Sequence, residues 1–76
     1  MKTSKFLNRL GEILMTDHPL TPETELASLP SWDSMAMVAV ISLIDESLGA
    51  TLPRGSIQQC KHVSDILALV KSHLSD

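Results

Sequence analysis

The stretch Leu29-Pro30-Ser31-Trp32-Asp33-Ser34-Met35 is where a proline-containing loop gives way to a strongly apolar helical segment. Its Asp-Ser pair falls at the helix start, with Asp33 suited to accept a backbone N–H as the N-cap residue. The Ser34 hydroxyl is thereby held at a helix N-terminus. Unpaired N–H groups and the positive end of the helix dipole tolerate negative charge there, so the position suits a phosphate ester.

Working outward, a helix is expected over about 34–48. Met37, Val40, Ile41, Ile44 and Leu48 recur at helical spacing and form the expected core stripe. The opposite face carries Met35, Ala39, Ser42 and Glu46, with Val38 and Asp45 on its flank. A helix apolar around most of its circumference is either buried on all sides or keeps a second face for a partner. Gly49 supplies the C-cap, and Leu52-Pro53-Arg54-Gly55 continues as loop. Upstream, residues 17–33 carry Pro19, Pro22 and Pro30 and read as a long ordered loop pinned by Leu20, Leu26 and Leu29. Within it, Thr21-Pro22-Glu23 suits a single helical turn, with Thr as cap and Pro at the first position.

Before that loop, Phe6, Leu7, Leu10, Ile13 and Leu14 predict an amphipathic helix over about 3–16, capped by Thr3 or Ser4 and stopped by Asp17-His18-Pro19. Gly11 costs it about 1 kcal/mol relative to Ala. A short helix near 56–60 is expected to point Ile57 inward. The last helix, from 63 or 64 to 74, repeats the pattern with Val63, Ile66, Leu67, Val70 and Leu74. The fold class is all-α, a small four-helix bundle with a long first loop and a short third helix, in one domain spanning 1–76.

Composition narrows the function. A chain of 76 residues leaves no room for an elaborate cleft. Aromatics are confined to Phe6 and Trp32, so the core is aliphatic. The formal charge is −3 and the basic residues are scattered, which argues against a nucleic-acid partner. The N-terminal segment lacks the apolar core of a secretory signal, and the run from Met35 to Ile41 is too short to insert into a membrane. A lone Cys60 fits a reducing compartment. The expectation is a cytoplasmic monomer, and Met1 with short ends suggests a free-standing protein rather than an excised domain.

Asp33-Ser34-Met35 and the helix after it resemble the prosthetic-group site of acyl carrier proteins, where an Asp-Ser-Leu motif opens the second helix. Val38, Ile41, Ile44, Asp45, Glu46, Leu48 and Gly49 also fall where that family places similar residues, and the likeness covers nearly the whole chain. It implies that Ser34 carries 4′-phosphopantetheine, transferred from coenzyme A by a phosphopantetheinyl transferase. The arm's thiol would then present acyl groups to acyl-activating or acyl-transfer enzymes and to synthases of a fatty-acid, polyketide or other specialised pathway. It further implies a partner-docking face of Met35, Val38, Ala39, Ser42, Asp45 and Glu46. The chain departs from the family in having Ala36 and Ala39 where acidic residues are common, and Met35 where Leu is usual. A less acidic, more apolar face points away from housekeeping fatty-acid enzymes and toward a dedicated pathway. Trp-Asp-Ser sequences among specialised-pathway carriers point the same way.

Other chemistries find little support. A hydrolytic Ser34 needs a positioned base, and His18, His62 and His73 have no sequence relationship to it. No Gly-x-Ser-x-Gly elbow is present. Paired histidines at helical spacing and a second cysteine are both lacking, so no metal site is expected. His62 fits the start of the last helix, Cys60 fits a small packed apolar residue, and Trp32 fits either a loop anchor or a contact for the arm or a partner. Exposed, Cys60 would link two chains on oxidation. A peptidyl or aminoacyl carrier and an unmodified helical interaction module remain the alternative readings, with an enzyme behind both.

Overall fold

A computed structural model describes residues 1–53 and 55–75; Arg54, within the expected loop 52–55, lies outside the described residues. Among the described residues three α-helices carry the fold: α1 (Thr3–Leu14), α2 (Ser34–Leu48) and α3 (Val63–Val70). Among the described residues there is no strand, only the isolated bridges Lys2–Ser75 and Glu25–His62. The all-α bundle expected from the sequence is the observed architecture.

Helix α1 buries Phe6, Leu10 and Leu14, each one turn after the last. Its start corrects the expectation of a Thr3 or Ser4 cap. The N-cap is Lys2, with no side-chain cap bond. The chain's other end substitutes for the cap: Thr3 N–H donates to Ser75 C=O (3.2 Å), and Ser75 N–H donates to Met1 C=O (2.9 Å). An orphan N–H of the first turn is satisfied from the far end of the sequence.

The end of α1 also comes earlier than Asp17-His18-Pro19. Met15 takes the left-handed conformation (φ 52°), donating to Glu12 C=O (3.3 Å) while Thr16 donates to Gly11 C=O (3.1 Å). This double closure is the Schellman pattern, with methionine where glycine is usual. Gly11 has a local reason: a Cβ there would stand 3.2 Å from Thr16 Oγ1, tight against the returning chain.

The long connection is ordered as expected, with Leu20 and Leu26 buried and Leu29 half-buried. Thr21 to Thr24 forms one tight turn, in which Thr24 N–H donates to Thr21 C=O (3.0 Å) and Thr21 N–H donates to Thr24 Oγ1 (3.1 Å). A 3₁₀ turn, Leu26–Ser28, follows. The connection is laced to the start of α3. Leu26 N–H donates to Lys61 C=O (2.8 Å), Val63 N–H to Thr24 C=O (3.0 Å) and Ser64 N–H to Pro22 C=O (2.9 Å).

Helix α2 buries Ala36, Val40, Leu43 and Ile44, while Met37 and Leu48 are half-buried and Ile41 is 44% exposed. The core stripe is thus rotated from the expected one, and Ile41 leaves it. In a helix apolar almost all round, periodicity does not decide the buried face, and tertiary packing does. Gly49, left-handed at φ 64°, donates to Asp45 C=O (3.0 Å) as the expected C-cap.

The expected short helix at 56–60 is a run of turns. Ser56 N–H bonds Pro53 C=O (3.2 Å) and Cys60 N–H bonds Ile57 C=O (3.1 Å), both three residues back. Gly55 at φ 83° and the Ser56 hydroxyl, which donates to Pro53 C=O, divert the backbone before a helical turn can nucleate. Ile57 still points inward, and Cys60 is buried, its Sγ 3.4 Å from Ser56 C=O. Burial, and secondarily the Asp65 carboxylate, push the Cys60 thiol pKa up.

Helix α3 is shorter than expected, ending at Val70 before a 3₁₀ turn over Lys71–His73. Val63, Ile66 and Val70 are buried, with Leu67 and Leu74 on the flanks. His62 is its N-cap residue. Asp65 reaches back to accept from His62 N–H (3.0 Å) and Lys61 N–H (2.9 Å). Those two bonds hold its carboxyl pKa below the usual carboxylate range.

Two outcomes follow. Met15→Gly relieves the left-handed strain and should raise stability by about 0.5–1 kcal/mol, seen as a higher urea midpoint at unchanged slope. The lowered Asp65 pKa contributes stability that is present above the ordinary carboxylate value and lost as pH falls through the folded one. Chemical denaturation from pH 6 down to about 2 should therefore show a steeper loss in the native chain than in Asp65→Asn over the window below about pH 4.

Candidate functional site

The site begins at the end of the long connection. The Ser31 hydroxyl donates to Leu14 C=O, tying the loop to a carbonyl that α1 leaves unpaired. Trp32 is half-buried and packed against the core, which makes its side chain a loop anchor, and its backbone N–H donates to Leu29 C=O (3.1 Å). These ties set where α2 starts.

Asp33 is extended (φ −142°, ψ −174°) and caps α2, with Oδ1 accepting from Ala36 N–H at 2.8 Å. The first intrahelical bond runs from Met37 N–H to Asp33 C=O (3.0 Å). Ser34 follows as the first helical residue. It is exposed, and its Oγ enters no hydrogen bond among the described residues. The Ser34 and Met35 N–H groups precede the first intrahelical bond, as helix geometry requires. A hydroxyl oxygen without a partner among the described residues thus stands beside donors able to receive an anion's oxygen. The Asp33 charge opposes an anion there, by about 1 kcal/mol at 4 Å in water, and the helix dipole offsets a similar amount.

Ser34 borders a cleft of about 410 Å³ between α2 and the 52–58 segment. Its walls are Met37, Val38, Ile41, Leu52, Pro53 and Ile57, with Gln58 at the margin. Sequence reading missed this cleft. The local pattern offered no signal for it, because its two walls are separated in sequence and Ile41 was assigned to the core. A larger hollow of about 640 Å³ lies under the 15–31 connection. The hydroxyls of Thr16, Ser28 and Ser31 on its wall all donate to backbone carbonyls, which leaves them no proton for a polar ligand.

The expected docking residues separate. Met35, Val38, Ser42, Asp45 and Glu46 are exposed, whereas Ala39 is half-buried beside Ile13 in the groove between α1 and α2. Ala36, one of the two departures from the family's acidic pattern, is buried; a carboxylate there would face the core. The histidines are dispersed. His18 lines the hollow under the first connection, His62 caps α3, and His73 sits in the last turn. None of them lines the Ser34 cleft. Among the described residues no group of His, Cys, Asp or Glu is arranged to hold a metal ion, and no helix is long and apolar enough to cross a membrane.

Removing the cap tests this geometry. Asp33→Ala should cost about 1 kcal/mol, with faster amide exchange at Ala36 and Met37, read by hydrogen exchange and urea titration. Protection in the middle of α2 should fall only by the global loss.

No protein-family model matches the chain, and no curated protein matches it. Among solved structures, a proposed acyl carrier protein from Mycobacterium tuberculosis superposes with a TM-score of 0.77 at 21% identity, over 91% of this chain and 95% of that one. At that identity the likeness speaks for the fold. The chain has the acyl carrier protein fold.

Proposed function

We propose that the chain is a non-catalytic acyl carrier with Ser34 as its attachment residue. The observation that carries this reading is the exposed Ser34 hydroxyl, without a hydrogen-bond partner among the described residues, at the capped start of α2 and at the edge of an apolar cleft. Fold likeness to a proposed acyl carrier protein supports it. In the attachment step, Ser34 Oγ attacks the pantetheine-side phosphorus of the coenzyme A pyrophosphate. An Oγ–P bond forms, the P–O bond to adenosine 3′,5′-bisphosphate breaks, and the Ser34 proton passes to a base of the transferase, which also brings the metal ion.

When attached, 4′-phosphopantetheine supplies a thiol that holds an acyl group as a thioester. This chain's own residues position that group. Asp33 fixes the helix start, the Ser34 and Met35 N–H groups would hold the phosphate, and Val38, Ile41, Leu52 and Ile57 would offer apolar surface to the arm or its cargo. Activation and transfer belong to partner enzymes. Since loading draws on coenzyme A, we place the protein in the cytoplasm. We further propose a specialised rather than housekeeping pathway, because the exposed start of α2 is apolar.

Intact-mass measurement tests the assignment. Incubation with coenzyme A, Mg²⁺ and a broad-specificity phosphopantetheinyl transferase should add one phosphopantetheine, mapped to Ser34. Ser34→Ala should take up none while keeping its stability within about 0.5 kcal/mol. Native folded chain that gains no adduct would remove the carrier reading and leave an unmodified interaction module.

A further inference from the structure

The hollow under the first connection stands apart from the chemistry around Ser34. None of the residues of the Ser34 cleft lines it, and at about 640 Å³ it exceeds that cleft. A cavity of this size holds a small organic molecule. Its apolar surface comes from the buried Leu14 and Leu20, the half-buried Leu29, and Pro19 and Pro30.

The hollow is braced against collapse. The Ser31 hydroxyl ties one wall to the Leu14 carbonyl on the other. Thr16 Oγ1 donates to His18 C=O (3.0 Å) and Ser28 Oγ to Glu25 C=O (2.6 Å), folding two stretches of the rim. Pro19 and Pro30 add fixed φ angles, and the bonds to α3 hold the connection from beyond Thr24. A cavity already formed loses less freedom when a ligand enters it.

Its polar lining favours a ligand that brings protons and positive charge. The three hydroxyls have spent their protons on carbonyls and keep lone pairs. Pro19 and Pro30 have no N–H, and the N–H groups of Met15, Thr16, Ser28 and Leu29 are taken by carbonyls of the chain, leaving those of Asp17, His18, Leu20 and Ser31 beside the His18 ring. Asp17 supplies a carboxylate, and Glu12 joins it along the adjoining hollow over the end of α1. Among the described residues no Lys or Arg lines either hollow. The carbonyl end of α1 adds the negative pole of its dipole.

We propose that this hollow binds a small apolar amine in its ammonium form. The hydrocarbon body lies against Leu14, Leu20 and Leu29, and the head faces Asp17 and the carbonyl end of α1. Met15, 79% exposed at the rim, supplies a flexible, polarisable side chain that folds over the body. Occupancy does not depend on Ser34, so the site and the carrier reading stand or fall separately.

The test titrates the full chain with three probes of one skeleton, hexylammonium, hexanol and hexanoate, followed by methyl NMR and calorimetry. Hexylammonium should bind at least threefold more tightly than hexanol, and hexanoate more weakly than either, the size expected of one exposed charge. Shifts should centre on the methyls of Leu14, Met15, Leu20 and Leu29. Asp17→Asn, with folding verified by urea titration, should remove the preference for ammonium over alcohol, and His18→Gln should preserve the order of the three. Ser34→Ala should bind as the native chain does. The proposal is overturned by hexanoate binding as well as hexylammonium, by no saturable binding of any probe, or by a preference that survives Asp17→Asn or vanishes in His18→Gln. Shifts centred instead on Val38, Ile41 and Ile57 would overturn it too, since the probe would then sit in the Ser34 cleft.

Discussion

The mutual completion of the first connection and the N-terminus of α3 is the constraint on which the other features rest. Helix α3 has only eight residues, too few to hold itself in water. The connection before α2 is too long to hold itself without partners. Each supplies what the other lacks. The carbonyls of Pro22 and Thr24 accept the N–H groups of Ser64 and Val63, and Lys61 C=O accepts Leu26 N–H. With Leu20 and Leu26 buried beneath them, peptide groups from the middle of the 15–33 connection become part of a helix terminus. The same arrangement fixes where the loop ends, and so where Asp33 and Ser34 stand.

Stability and reactivity are kept on separate residues. Asp33, Trp32 and Ser31 hold the helix start through a carboxylate, a ring and a hydroxyl, each engaged with backbone or core. The Ser34 hydroxyl has no hydrogen-bond partner among the described residues. Its hydroxyl can change chemically without disturbing a buried contact. A site of this kind needs only a helix end and firm neighbours, which suits a domain of 76 residues with little core to spare.

What the sequence disclosed was what local chemistry determines. The Asp33 cap, the Gly49 stop, the three leucines of the connection and the inward Ile57 each rest on a residue type with a strong positional preference. What it hid was decided at long range or by near-ties. Ser75 replaces a side-chain cap on α1, a pairing across the whole chain that no window contains. Met15 adopts a conformation its type disfavours, and the chain closes behind it with Thr16 N–H on Gly11 C=O. On α2 the apolar residues are so evenly spread that the expected stripe took in Ile41 and passed over Leu43, which packing buries instead. The cleft beside Ser34 was hidden for the same reason, since it exists only once Ile41 faces Leu52 and Ile57.

Cys60 has a consequence for the proposed carrier role. A thioester is open to capture by any nearby thiolate, and a carrier with a reactive cysteine of its own would risk scrambling or stranding what it holds. Here the thiol is buried, directed at the Ser56 carbonyl and disfavoured as an anion by its surroundings and by Asp65. Thiol exchange runs through the thiolate. The fold thereby withdraws its own thiol from exchange; on the proposed carrier reading, the thiol of the arm would then have no internal competitor for the acyl group.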